Sequence, residues 1–424
     1  MWIYFSEWLQ FAVRWVHVVT AIAWIGSSFY FIALDLGLRK PRRLPEGVSG
    51  EAWQVHGGGF YNMRKFTIAP DEMPEDLTWF KWESYATWLS GAALLFLVYY
   101  LGAELYLIDP AKADLPVWGA SLIGIGGLAL GWLVYDGLCK SPLRTNDTWL
   151  LAALFVYVVA ASWGFSQVFS GRGAMLHTGA MIATIMSANV FFLIIPNQTI
   201  VVNDLKAGRT PDPSLGKAAK QRSLHNNYLT LPVIFLMLSN HYPLAFATEW
   251  NWAIAGLVLL IGALVRHYFN TEHATGKRLW WCWGAAAFLF AIIITLSGAP
   301  GWRAEPAEET AREWTKDPQV ALAASPLLDD AEGVILSRCS MCHAREPLWP
   351  GIGHAPKAVT LETRDDIVHF ASAIERQAVR SHAMPPGNVT AMDPAERRIL
   401  ARWLAAGEGV RLGQNGLQRV ASNP

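Results

Sequence analysis

Long apolar runs dominate the first 300 residues. Crossing a hydrocarbon core of about 30 Å takes about 20 mostly apolar residues in a helix. Windows of that size occur near 8–34, 84–106, 116–136, 148–169, 175–195, 228–246, 250–268 and 279–299, so the pattern predicts eight transmembrane helices. The sixth is interrupted by Pro232 and Pro243, with Asn240-His241 near one end; a kink is expected there, with a neighbour satisfying the freed carbonyl. The N-terminus has no basic n-region and no small-residue cleavage site, so the first run reads as a span, not a cleavable signal. Residues 300–327 are rich in Ala, Glu and Pro without a sustained apolar face, and read as a linker. Helical spacing then returns. Residues 329–338 form a short helix, and 364–380 place Ile367, Phe370, Ala371 and Ile374 on one face. Asp393-Pro394 opens a last helix carrying Ile399, Trp403 and Leu404. The predicted fold is all-α: an eight-helix transmembrane bundle (1–299), a linker (300–327) and a small helical domain (328–424).

Composition shows two solvents. The 424 residues are 53% hydrophobic and 16% charged, against about 45–50% and 25% for soluble domains. Charged residues make up 24% of 301–424 and 13% of 1–300, so the tail is water-soluble and the rest lies in lipid. A net charge of zero excludes a polybasic nucleic-acid binder. Sixteen Lys/Arg fall in the odd-numbered connections, against Lys112 and Arg172 in the even ones. That bias puts the odd connections in the cytoplasm of a bacterial inner membrane, and both termini and the soluble domain in the periplasm. Trp2, Trp8, Trp79, Trp82, Trp250, Trp252, Trp280 and Trp281 suit interfacial belts.

The sharpest chemical signal is Cys339-Ser340-Met341-Cys342-His343, the C-x-x-C-H signature of c-type haem attachment. Two thiols bond the haem vinyl groups, and the adjoining His343 is then held within reach of the iron. Met384, in the loop His382–Gly387, is the candidate second axial ligand; a Met/His pair suits electron transfer. Met392, then His354, His369 and His382, are the other candidates. Helices around this motif make the tail a class I-like cytochrome c domain with one covalent haem c. Cys139 and Cys282 read as buried, inert thiols.

Ionisable groups in spans are costly and mark function or interhelical bonding. Arg14, His17, His177 and His241 fall toward the outer side, and His225, His267 and His273 toward the inner. His17, His177, His241 and His267 are candidate haem b ligands, interhelical hydrogen bonding being the alternative. The first inner connection, of about 49 residues, contains Val55-His56-Gly57-Gly58-Gly59-Phe60-Tyr61 and then Arg64. Its glycines allow close approach to a ligand, with a flexible basic surface loop as the alternative. A second cluster, His225-Asn226-Asn227, offers amides able to read a planar heterocycle. His56 and His225 are the candidate catalytic bases, and Tyr61, Arg64, Asn226 and Asn227 the candidate substrate-binding residues.

Five stretches in this order resemble one family: RWVHVVTAIAWIGSSFYF, VHGGGFY, LTWFKWESYATWLSG, HNNYLTLPVIFLMLSNHYP and CSMCH with its Met loop. The chain is similar over nearly its whole length to the membrane-bound, cytochrome c-fused urate oxidases (urate hydroxylases) of bacteria. The resemblance implies oxidation of urate to 5-hydroxyisourate without hydrogen peroxide. Electrons would pass to the fused haem, then to a downstream cytochrome c or cytochrome c oxidase. It transfers no catalytic residue. A urate site on the inner side would lie across about 30 Å of hydrocarbon from the haem. Either a relay such as haem b bridges the gap, or urate binds on the outer side near Arg14, His17, His177 and His241. The rival classes are a respiratory electron-transfer subunit and a non-enzymatic haem- or metal-handling transporter.

Overall fold

The computed structural model describes residues 2–41, 44–70, 74–302, 318–350 and 352–406 and is 72% helical. Helix occupies each of the eight apolar windows. Helix α1 is Trp2–Gly37. Helix α2 (Trp82–Leu94) runs on through a π-helical stretch, Leu95–Tyr100, and is followed by the short α3 (Ala103–Tyr106). Helices α4 (Val117–Lys140), α5 (Asp147–Val168) and α6 (Gly171–Ala188) come next; α6 continues through a second π-helical stretch, Asn189–Ile194, into α7 (Ile195–Lys206). Helices α8 (Pro213–Leu238), α9 (Pro243–Phe246), α10 (Asn251–Thr275) and α11 (Trp281–Trp302) complete the series. Among the described residues, Phe5–Gly37, Val117–Lys140, Asp147–Val168, Gly171–Lys206 and Asn251–Thr275 are long and apolar enough to cross a membrane. Helix α8 starts well before its apolar window, because Asp212 caps the Ser214 amide and Pro213 takes the first helical position. Arg222 is therefore a helix residue.

In lipid, burying apolar side chains drives no helix association, so close backbone approach matters. Helix α4 supplies it with glycines. A Cβ on Gly124 would stand 2.6 Å from His177 Nε2, one on Gly127 2.6 Å from the Phe165 ring, and one on Gly131 2.3 Å from Met181. Pro232, inside α8, lies against Gly262 of α10 in the same way.

Two expectations change. The chain is not all-α: β1 (Val48–His56) and β2 (Gly59–Phe66) pair antiparallel, with His56 opposite Gly59. Gly57 and Gly58 have φ of 60° and 79°, the positive values a two-residue hairpin turn demands. These glycines therefore make a turn in an ordered hairpin. It is tied to the end of α1 by Tyr30 Oη donating to Gln54 (2.8 Å) and by the Lys65–Asp35 pair (2.7 Å). The linker also ends earlier than expected, because α12 (Pro318–Ala323) belongs to the soluble unit. The fully buried Trp403 donates its indole N–H to Leu322 O (3.1 Å), since a buried indole needs an acceptor.

The C-terminal unit continues with α13 (Leu328–Arg338), α14 (Arg364–His369) and α15 (Ala371–Ile374), a π-helical stretch at Glu375–Arg380, and a last helix at 394–406. Ile335, Ile367, Leu400 and Trp403 centre its own core. The unit docks on the bundle. Ala383 is buried in the bundle's core cluster, and a Cβ on Gly387 would stand 2.5 Å from Ile108 O. This docking end includes the start of α10, whereas Arg39, beside the hairpin, donates to His273 O near the end of α10 (3.1 Å). The hairpin and the C-terminal unit thus sit at opposite ends of the bundle.

Candidate functional site

The C-x-x-C-H segment leaves α13 as a tight turn. The Cys339 amide bonds Ile335 O (2.8 Å), and the Cys342 and His343 amides both bond Cys339 O (3.2 and 2.9 Å). Both thiols are free. His343 Nδ1 lies 2.9 Å from Val359 O. A carbonyl only accepts, so Nδ1 carries the proton and Nε2 is the bare nitrogen a metal needs. Met384 is pinned at both backbone groups: its amide donates to Gln377 O (2.8 Å), and Arg397 donates to its carbonyl (3.0 Å). Its side chain packs on the unit's core. Met392 is 3% exposed inside that core, while His354, His369 and His382 are exposed. Paired thiols, an oriented imidazole and a held thioether are the kinds of donor a c-type haem would take; Cys339 and Cys342 would attach it, and His343 and Met384 would be its axial ligands.

The candidate haem b histidines do not fit that group. His177 is fully buried, with Nδ1 on Gly173 O (2.8 Å) and Nε2 facing Tyr100 Oη (3.3 Å). His17 has Nδ1 beside Thr87 O (3.0 Å) and Ser90 Oγ (3.1 Å). Each ring presses on a glycine backbone, Gly124 and Gly91, where even a Cβ would clash. A porphyrin has no room there. His267 meets Tyr228 Oη at 3.4 Å, and His241 is exposed. His17, His177 and His267 act as interhelical bonding partners.

The hairpin half of the bundle holds a buried polar network. His225 Nδ1 meets Tyr135 Oη (2.9 Å), and Asn189 donates to both Tyr135 Oη and Asn226 Oδ1 (2.9 Å each). Asn226 donates to Met186 O (2.9 Å). Arg222, 3% exposed, donates to Asn189 (3.1 Å) and Asp136 (2.7 Å) and lies over Tyr135. Beside it, Arg266 donates to Asn227 and Asn270 (3.1 and 3.0 Å). Sequence reading found His225, Asn226 and Asn227 but missed Tyr135, Asn189, Arg222, Arg266 and Asn270. The charges at Asp136 and Arg266, inside apolar runs, were the available signal. A cavity of about 270 Å³ touches the network at Asn226. His56, Tyr61 and Arg64 are not part of it. They are exposed on the hairpin, with Arg64 on Glu51 (3.4 Å). His56 and His225 thus stand in separate places, and the hairpin residues His56, Tyr61 and Arg64 do not join Asn226 and Asn227.

A larger cavity, about 830 Å³, lies between the bundle and the C-terminal unit, bordered by Arg172, Lys112 and the segment following Met384.

Apolar helices locked by a buried polar network and docked to a separate helical unit define a membrane-type helical protein with an appended domain. The chain belongs to the urate oxidase N-terminal family, whose model matches residues 3–297. No curated protein and no solved structure matches the chain. Membership supports a urate-related oxidoreductase with urate as the substrate.

Proposed function

We propose that this chain oxidises urate to 5-hydroxyisourate at a bacterial inner membrane and passes the electrons to its own C-terminal unit. The urate monoanion and one water give 5-hydroxyisourate, one proton and two electrons, so oxygen comes from water and no peroxide forms. A c-type haem accepts one electron at a time, which makes two single-electron transfers per urate. A downstream cytochrome c or cytochrome c oxidase in the periplasm then drains the unit. The observation that carries the reading is His343, held by Val359 O with Nε2 bare, in the same turn as the free thiols of Cys339 and Cys342, on a chain whose other part belongs to a urate oxidase family.

The buried network at the hairpin end is a poor place for the oxidation. Tyr135 lies 18 residues along α4 from Val117, or about 27 Å at 1.5 Å per residue, and the bundle histidines do not fit a haem relay. Most of its donors are spent on each other, Asn227 Nδ2 excepted, so it works mainly as a polar lock. The oxidation therefore belongs at the docking end.

The test is urate-dependent reduction of the haem absorption band in membranes holding the full chain. Urate should reduce it at substrate concentrations. Reduction by quinol with none by urate would make the chain a respiratory electron-transfer subunit. Reduction by neither would favour a haem- or metal-handling transporter.

A further inference from the structure

We infer that the cavity between the bundle and the C-terminal unit binds a planar anionic ring bearing N–H groups, anchored by Arg172; this rests on the urate reading above and locates its substrate. Arg172 stands in the first turn of α6, where the helix end adds positive potential. Its guanidinium lies 5.6 Å from the Tyr106 ring centre and 5.0 Å from that of Phe246. It makes no hydrogen bond or ion pair with any described residue, although it borders a cavity of about 830 Å³.

Two of the neighbouring cations are committed. Lys112 donates to Ser166 O and Phe169 O (2.9 and 3.0 Å), and Arg397 donates to Ala378 O and Met384 O. They are already bonded to carbonyls, and Asp109, Glu249 and Asp393 also border the cavity, so its lining is mixed in charge. Arg172, on the bundle side, and the exposed Arg398, on the C-terminal unit, are not engaged in this way; Arg172 offers its fork of N–H donors beside two aromatic rings, the geometry that grips a planar oxyanion.

Asn388, from the C-terminal unit, borders the same cavity and supplies the complementary group. Asn388 Nδ2 donates to Met392 O (3.2 Å), which sets the amide's orientation, since a flipped amide would point oxygen at oxygen. Its Oδ1 is buried and has no partner among the described residues. A buried acceptor left alone is costly, and a ring N–H would satisfy it. The urate anion carries both features, carbonyl oxygens for Arg172 and N–H groups for Asn388. A haem propionate shares the first but has no N–H for the second. Asn388 and Arg397 also flank the loop that carries Met384, so a ring bound here would lie near the segment that offers Met384 to a haem.

Arg172→Gln and Asn388→Ala in the full detergent-solubilised chain test this, with urate as the probe. Equilibrium dialysis should show urate affinity falling about 10- to 100-fold for Arg172→Gln and less for Asn388→Ala. Arg172→Lys should recover part of it, and the haem midpoint potential should not move. Unchanged urate affinity with a shifted potential would assign Arg172 to a haem propionate and overturn the proposal. Unchanged affinity and potential would overturn it too. If Arg172→Gln does not fold, Asn388→Ala decides alone, and wild-type affinity there overturns the site. Arg172-dependent urate binding without haem reduction would leave the site standing while the oxidation reading fails.

Discussion

One methyl group at Gly124 probes the contact that closes the docking half of the bundle. An alanine Cβ there would lie 2.6 Å from His177 Nε2 and 2.8 Å from Tyr100 Oη. The histidine has no retreat. It is fully buried, its Nδ1 is held by Gly173 O at 2.8 Å, and the Phe165 and Phe169 rings stand 5.8 and 4.8 Å from it. Overpacking of this kind costs about 1–3 kcal/mol, and losing the Tyr100–His177 bond about 0.5–1.5 kcal/mol. Alanine's better helix propensity returns about 1 kcal/mol. The expected net loss is about 1–3 kcal/mol. Gly126→Ala is the control, because nothing lies within 4 Å of its Cβ; it should be neutral or slightly stabilising. Unfolding by sodium dodecyl sulfate in mixed micelles, followed by tryptophan fluorescence, reads both. Equal midpoints for Gly124→Ala and Gly126→Ala would refute the packing argument.

Two further outcomes follow from named contacts. Asp136→Ala strips the buried Arg222 guanidinium of its carboxylate. Breaking such a pair costs about 3–5 kcal/mol; the 19% exposure of Asp136 puts the expectation at the low end, and a wild-type unfolding midpoint would count against it. Thr363→Ala removes the capping box of α14, at a cost of about 1 kcal/mol, read as faster hydrogen exchange of the amides at 366–370. Hydrogen bonding from Thr363 also holds the Asp366 carboxyl below its usual pKa. That part of the stability is present above about pH 4 and is lost as pH falls through the depressed folded value. The gap between wild type and variant should therefore narrow in acid; a gap that widens there would contradict the assignment.

The local features were legible in the sequence because local energetics decide them. Apolar runs of about 20 residues became helices. Asp212-Pro213 started α8, and the C-x-x-C-H spacing closed its own turn after α13. The hairpin was legible too, in Gly57-Gly58 between β-forming residues, but the glycines were read for ligand approach instead of positive φ. Partner choice was not legible. Nothing in Leu322 announces that Trp403 needs its carbonyl, and Asn189 inside an apolar run does not name Tyr135, Asn226 and Arg222. Arg172 read only as one of two basic residues on the sparse side. In lipid, apolar patterns specify that a helix forms but supply no force choosing its neighbour. Glycine contacts and buried hydrogen bonds make that choice between residues far apart in the chain. Only the tertiary structure could therefore separate His56 from His225 and bring Arg172 and Asn388 to one cavity.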